Sequence, residues 1–148
     1  MFGKFISLHF RQGKKNLFLN LPDFLSAKSK EEFSVFDRNG YTPVQEVFSD
    51  DECNTRWLQI TLANDSAILV DEDQEFIVGP EKDEILVRAG DISPDMYLPF
   101  CVEKFPNPKA VITQVPVLIV QEVPPREGYE LMTKSRSYIV GGFLLASI

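Results

Sequence analysis

Few residues in this chain of 148 are equipped for chemistry, and they are scattered. There is one histidine, His9, and there are two cysteines, Cys53 and Cys101. A histidine can serve as a general base, but His9 has no partner near it in sequence and reads as a partly exposed strand residue. Cys53 sits in the polar run 49–54, where a thiol could react; an inert surface thiol is the plainer reading. Cys101, between Phe100 and Val102, reads as a buried apolar residue. One His and two Cys do not supply the usual tetrahedral zinc sets. Ser147 is a conceivable nucleophile with no evident base. Asp71, Asp73 and Glu75 alternate, so on one strand they would share a face and could gather calcium. No glycine-turned loop accompanies them. The expectation is a solvated acidic edge that discourages strand pairing, with no metal and no cofactor.

The elements that must position these residues are short strands. Apolar residues at Phe5, Ile6, Leu8 and Phe10, then at Leu17, Leu19 and Leu21, flank a polar turn at 11–14 and form a hairpin. A short helix follows at 22–27, with Asn20 as its cap and Pro22 in its first turn. Asn39-Gly40 separates strands at 32–37 and 41–48, a strong hairpin signal. Strands are expected at 57–62, 67–70, 75–78, 84–88 and 96–102. Phe105-Pro106-Asn107-Pro108 breaks the chain. The stretch 110–123 should be two strand pieces divided by Pro116. Three strands at 130–133, 137–140 and 143–146 complete an all-β domain spanning 1–148.

Composition narrows the partners. A formal charge of −7 and a pI near 4.7 disfavour phosphate backbones, so no nucleic acid is expected. No window reaches the roughly 18 unbroken apolar residues of a membrane helix, and the start lacks a signal-peptide pattern. A cytoplasmic or virion setting is the expectation.

The order of these signals resembles something specific. Ile60-Thr61-Leu62, a turn, Ala67 to Val70, an acidic step and Phe76-Ile77-Val78 look like the middle block of Hint domains, the self-processing modules of inteins and Hedgehog proteins. Leu86 to Ile92 with Asp95 to Leu98 looks like the strand and loop that follow. Val117 to Val123, Tyr129-Glu130-Leu131 and Tyr138 to Ser147 look like the paired final blocks of an intein. The resemblance covers nearly the whole chain. It implies a flattened horseshoe of twisted hairpins with at most one or two short helices. It also implies catalytic groups that are missing. Such a domain uses a first-residue thiol or hydroxyl, a Thr and His three apart, and a final His and Asn. Here the first position carries Met1, the Thr position Asp71, the His position Gln74, and the last two Ala146 and Ser147. Gln74 can donate a hydrogen bond but cannot shuttle a proton.

The expectation is therefore a non-catalytic Hint-like domain reused as a structural or protein-binding subunit of a multi-subunit assembly. Such relics suggest a phage virion. A self-processing variant using Ser147 or Cys53 is one alternative, and an unrelated β-barrel that binds proteins is another. Residues that could form an apolar docking edge are Phe2, Phe5, Trp57, Phe143, Leu145 and Ile148. The competing reading, which is favoured, packs the two ends and Trp57 into the core.

Overall fold

The computed structural model describes residues 1–3, 8–12, 15–26, 33–51, 54–104 and 107–147, and of residues 21, 25, 26, 107 and 108 the backbone only. The readings on Phe5, Cys53 and Ile148 lie outside the described residues; of the expected polar loop 49–54, residues 52 and 53 lie outside them, and Ser49 and Asp50 instead end a strand. Part of the first expected strand also lies outside the described residues.

The described chain is almost entirely β. Its strands are β1 (Phe2–Gly3), β2 (Leu8–Gln12), β3 (Lys15–Leu19), β4 (Phe33–Asp37), β5 (Gly40–Asp50), β6 (Trp57–Leu62) and β7 (Ala67–Asp71), then β8 (Glu75–Val78), β9 (Ile85–Arg88), β10 (Tyr97–Lys104), β11 (Asn107–Val123), β12 (Gly128–Thr133), β13 (Ser137–Val140) and β14 (Phe143–Ala146). One helix, α1 (Leu21–Ser26), and a 3-10 turn at Ala89–Asp91 interrupt them. Asn20 caps α1: its Oδ1 accepts from Asp23 N–H at 2.9 Å.

The strands pair antiparallel in the order β3-β2-β4-β5-β12-β1-β7-β6-β11-β10-β14-β8-β9, with β13 added to β14. The path has two ends, β3 and β9, so the sheet is open and the closed-barrel alternative falls. No helix among the described residues is long and apolar enough to cross a membrane.

Two expectations need correction. Pro116 does not split its region; β11 runs unbroken over 17 residues. It pairs with β10 up to Tyr97↔Pro116 and with β6 from Val117↔Leu62 onward. Proline falls where the strand changes partner, a place that tolerates the loss of an N–H donor. Its carbonyl stays useful, accepting from Ala63 N–H at 2.9 Å. In the β4–β5 hairpin the loop is Arg38-Asn39, and positive φ is confined to Gly40 (φ 119°), which already begins β5.

The period-2 patterns build two cores. The main one gathers Phe2, Phe10, Ile60, Val70, Phe76, Tyr138, Phe143 and Leu145, among others. The second is small: Phe36, Ile77, Cys101, Ile139 and Leu144, on the opposite face of the β8–β14–β10 sheet. The β4–β5 hairpin covers it with Phe36 and Tyr41.

The candidate functional site at the β7–β8 turn

Asp71 ends β7 and Gln74 precedes β8, so the two sit on either side of one tight turn closed by Gln74 N–H donating to Asp71 O at 3.2 Å. That turn grips both ends of the described chain. The Met1 ammonium donates to Asp71 Oδ1 at 2.7 Å, and Asp71 N–H donates to Met1 O at 3.0 Å. Thr55 Oγ1 adds a bond to Asp71 Oδ2 at 3.1 Å. On the other side, Gln74 Nε2 donates to Glu75 O at 2.9 Å and to Ala146 O at 3.3 Å. Strand pairing enforces this convergence. β1 lies between β12 and β7, through Phe2↔Tyr129 and Phe2↔Val70, while β14 meets β8 through Leu145↔Phe76.

Both flanks of the turn are shielded from bulk solvent. Asp71 and Gln74 are both buried, and Gln74 Oε1 meets no donor among the described residues. Trp57 Nε1 is likewise buried without an acceptor there. Glu130 faces the same place. Burial raises its carboxyl above the usual range and the Asp71 charge adds to this, while the Met1 ammonium opposes it.

Of the four positions singled out from the sequence, Asp71, Gln74 and Ala146 lie together at this turn. Ser147 follows directly, its Oγ accepting from Thr133 N–H at 3.3 Å. Thr55 and Glu130 were not foreseen as members. Glu130 lies between Tyr129 and Leu131 on β12, and nothing local marks its charge as facing Asp71. Thr55 lies 16 residues from Asp71 and carries no signal of its own.

Other expectations fare differently. Phe2, Trp57, Phe143 and Leu145 are essentially fully buried, so they form no docking edge and belong to the core. Asp71, Asp73 and Glu75 do not share a strand face, because the turn separates them. Asp71 points inward, whereas Asp73 is exposed and accepts from Arg88 Nη2 at 2.6 Å. Among the described residues no three His, Cys, Asp or Glu side chains gather as metal ligands.

His9 does have partners, Asn16 and Phe18 on the neighbouring strand and Tyr41 and Glu103 far away in sequence. Its Nδ1 lies 2.7 Å from Glu103 Oε2, its Nε2 lies 2.9 Å from the Tyr41 hydroxyl, and Phe18 stacks on its ring. His9 and Cys101 border one shallow cavity of about 260 Å3. A thiol and an imidazole around one cavity suggest nucleophilic chemistry. Burial, however, pushes the Cys101 thiol up to about 12, with the Asp37 charge adding, so it stays a neutral thiol and a poor nucleophile.

No family model matches the sequence, and neither does any curated protein. Solved structures do match in shape. The transcription factor IIB Mvu mini-intein superposes with a TM-score of 0.79 at 13% identity, over 99% of this chain and 98% of that one. An intein from a hyperthermophile gives 0.79 at 12%, again over 99% and 98%. A DnaB intein from Synechocystis sp. PCC 6803 gives 0.72 at 12%, over 97% of each. End-to-end coverage of mini-inteins, with both chain ends meeting at the β7–β8 turn, gives this chain the intein-like Hint fold.

Proposed function

We propose that this chain is a Hint-like domain without self-processing activity, serving as a structural or protein-binding subunit of a larger assembly; a phage virion is the setting its resemblance suggests. One observation carries the reading. At the position where the resembled family places a proton-donating histidine, Gln74 donates its amide N–H to the Ala146 carbonyl. An amide can polarise a carbonyl but cannot protonate a leaving nitrogen near neutral pH. Asp71 supports the same reading. A carboxylate that accepts from an ammonium and a hydroxyl offers no donor for a developing oxyanion. Ala146, at the position of the family's final histidine, carries only a methyl group and cannot donate or accept a proton.

Intact-mass measurement of the purified chain, incubated with and without thiol and hydroxylamine, tests this. The expected result is one unchanged mass under every condition. A cleaved product or a trapped thioester would sink the reading, and Ser147→Ala would then identify the nucleophile if it removed the product.

A further inference from the structure

The sheet ends on β9, whose outer side has no partner among the described residues. Two apolar side chains stand out from this edge, one on each face: Ile85 is 60% exposed and Leu86 58%. Their faces follow from the register. Leu86 is opposite Ile77 of the second core, and Ile85 is opposite Val78, which packs on the main core. A further strand would therefore extend both cores.

Charge is distributed unevenly around that edge. Residues 71–95 hold nine of the 22 carboxylates and only two of the 15 Lys and Arg, giving −7 in this segment; the rest of the chain balances at 13 against 13. Asp71, Glu72, Asp73 and Glu84 are ion-paired, with Met1, Arg56, Arg88 and Arg38 respectively. Glu75, Glu81, Asp83, Asp91 and Asp95 are exposed. Arg88, the one cation on β9, is held above its usual range by Asp73 and by the charges of Asp91 and Glu72. The field at the edge is thus negative, and two copies of it repel.

We propose that β9 is the docking edge of this domain and that its occupant is an extended, basic segment of a partner protein, added as a strand with apolar residues alternating between lysines or arginines. Main-chain bonds to β9 supply register, Ile85 and Leu86 supply the apolar contact, and the exposed carboxylates select a cationic partner. On the Leu86 face a cavity of about 230 Å3, lined by Ile77, Leu144, Glu81 and Glu84 and also by Arg38 and Lys109, has room for one apolar side chain of that segment. The proposal rests on the reading of the chain as a protein-binding subunit and names the surface.

The test uses the 15N-labelled whole chain and an end-blocked Lys-Val-Lys-Ile-Lys-Val-Lys peptide. Amide shifts should map to β8, β9 and the Ala89–Asp91 turn, and affinity should fall at least ~10-fold between about 20 mM and 500 mM salt. The Glu counterpart of the peptide, and the same peptide N-methylated at alternate residues, should not bind. Ile85→Lys with Leu86→Lys, both at exposed positions, should weaken binding at least ~10-fold while amide dispersion stays native. Phe18→Lys on the opposite edge should leave affinity unchanged. Shifts confined to β3, equal binding of the Glu peptide, or indifference to the β9 substitutions overturn the proposal. So does salt-induced dimerisation through β9, which would make a second copy the occupant. A native partner cross-linked elsewhere on the chain would remove the edge and leave the subunit reading standing. A thioester or cleavage product would do the reverse.

Discussion

At the level of single residues, the β7–β8 turn holds Asp71 through the Met1 ammonium and the Thr55 hydroxyl. Asp71 was legible in the sequence as an anomaly within a recognisable frame; its partners were not, since Met1 is 70 residues away. Asp71→Asn keeps the shape and removes the charge. It should cost about 1–2 kcal/mol, because the Met1 ammonium keeps its place in a part-buried site without its counter-ion. Urea denaturation at pH 7 measures this, and an unchanged midpoint would show that the pair contributes nothing. Glu130 makes the opposite case. Its folded carboxyl is raised, so folding favours the protonated form. The stability this form contributes is fully present below the unfolded carboxyl value and is lost as pH rises through the folded one. Glu130→Gln should therefore stabilise at pH 7, by roughly 0.5 kcal/mol after solvent screening of a half-exposed group, and the gain should disappear well below pH 4. Thermal melts across that range check the sign.

At the level of elements, most strands were legible because period-2 patterns and turn residues are local. β6, β13 and β14 fall where expected, and β8 does as well. β11 was not, because a proline argues against a strand only if its N–H is needed, and that depends on a partner the sequence does not name. Close packing of one element on another was equally hidden. The β13–β14 turn places Gly142 at φ 92°, with the Phe100 ring against it; a Cβ there would lie 2.2 Å from a ring carbon. Gly142→Ala should therefore cost more than about 3 kcal/mol, from backbone strain and overpacking together. Gly3 in β1 is a useful contrast. A Cβ there meets Leu69 at 3.5 Å, an ordinary contact. Gly3→Ala should be neutral or stabilising by about 0.5 kcal/mol. Comparing the two chemical-denaturation midpoints decides whether the tight approach at Phe100 or glycine removal in general is responsible.

For the whole molecule, the sheet path separates β2 and β3 at one end from β10 near the other, yet the fold brings them back together. His9 on β2, Tyr41 on β5 and Glu103 on β10 form a polar clasp between them, with Tyr41 OH donating to Glu103 Oε1 at 2.9 Å. Burial, with Glu103 as acceptor, holds the Tyr41 hydroxyl well above its ordinary value, so it remains a donor. Beneath the clasp, Phe36 and Cys101 join the second core. Nothing local in the sequence could reveal this, since the three residues are 32 to 94 positions apart; it also explains why the only histidine looked idle. The main core takes Leu8 and Phe10 from β2 as well as residues of β6 and β7, but none of the three clasp residues belongs to it. Removing the anion should therefore loosen one region instead of the whole. Glu103→Ala is expected to speed amide exchange in β2 and β3 by about 5- to 10-fold, while β6 and β7 keep their protection. Hydrogen exchange followed residue by residue distinguishes the outcomes. Uniform acceleration across all strands would mean that the two halves open as one cooperative unit and that the clasp is part of global stability.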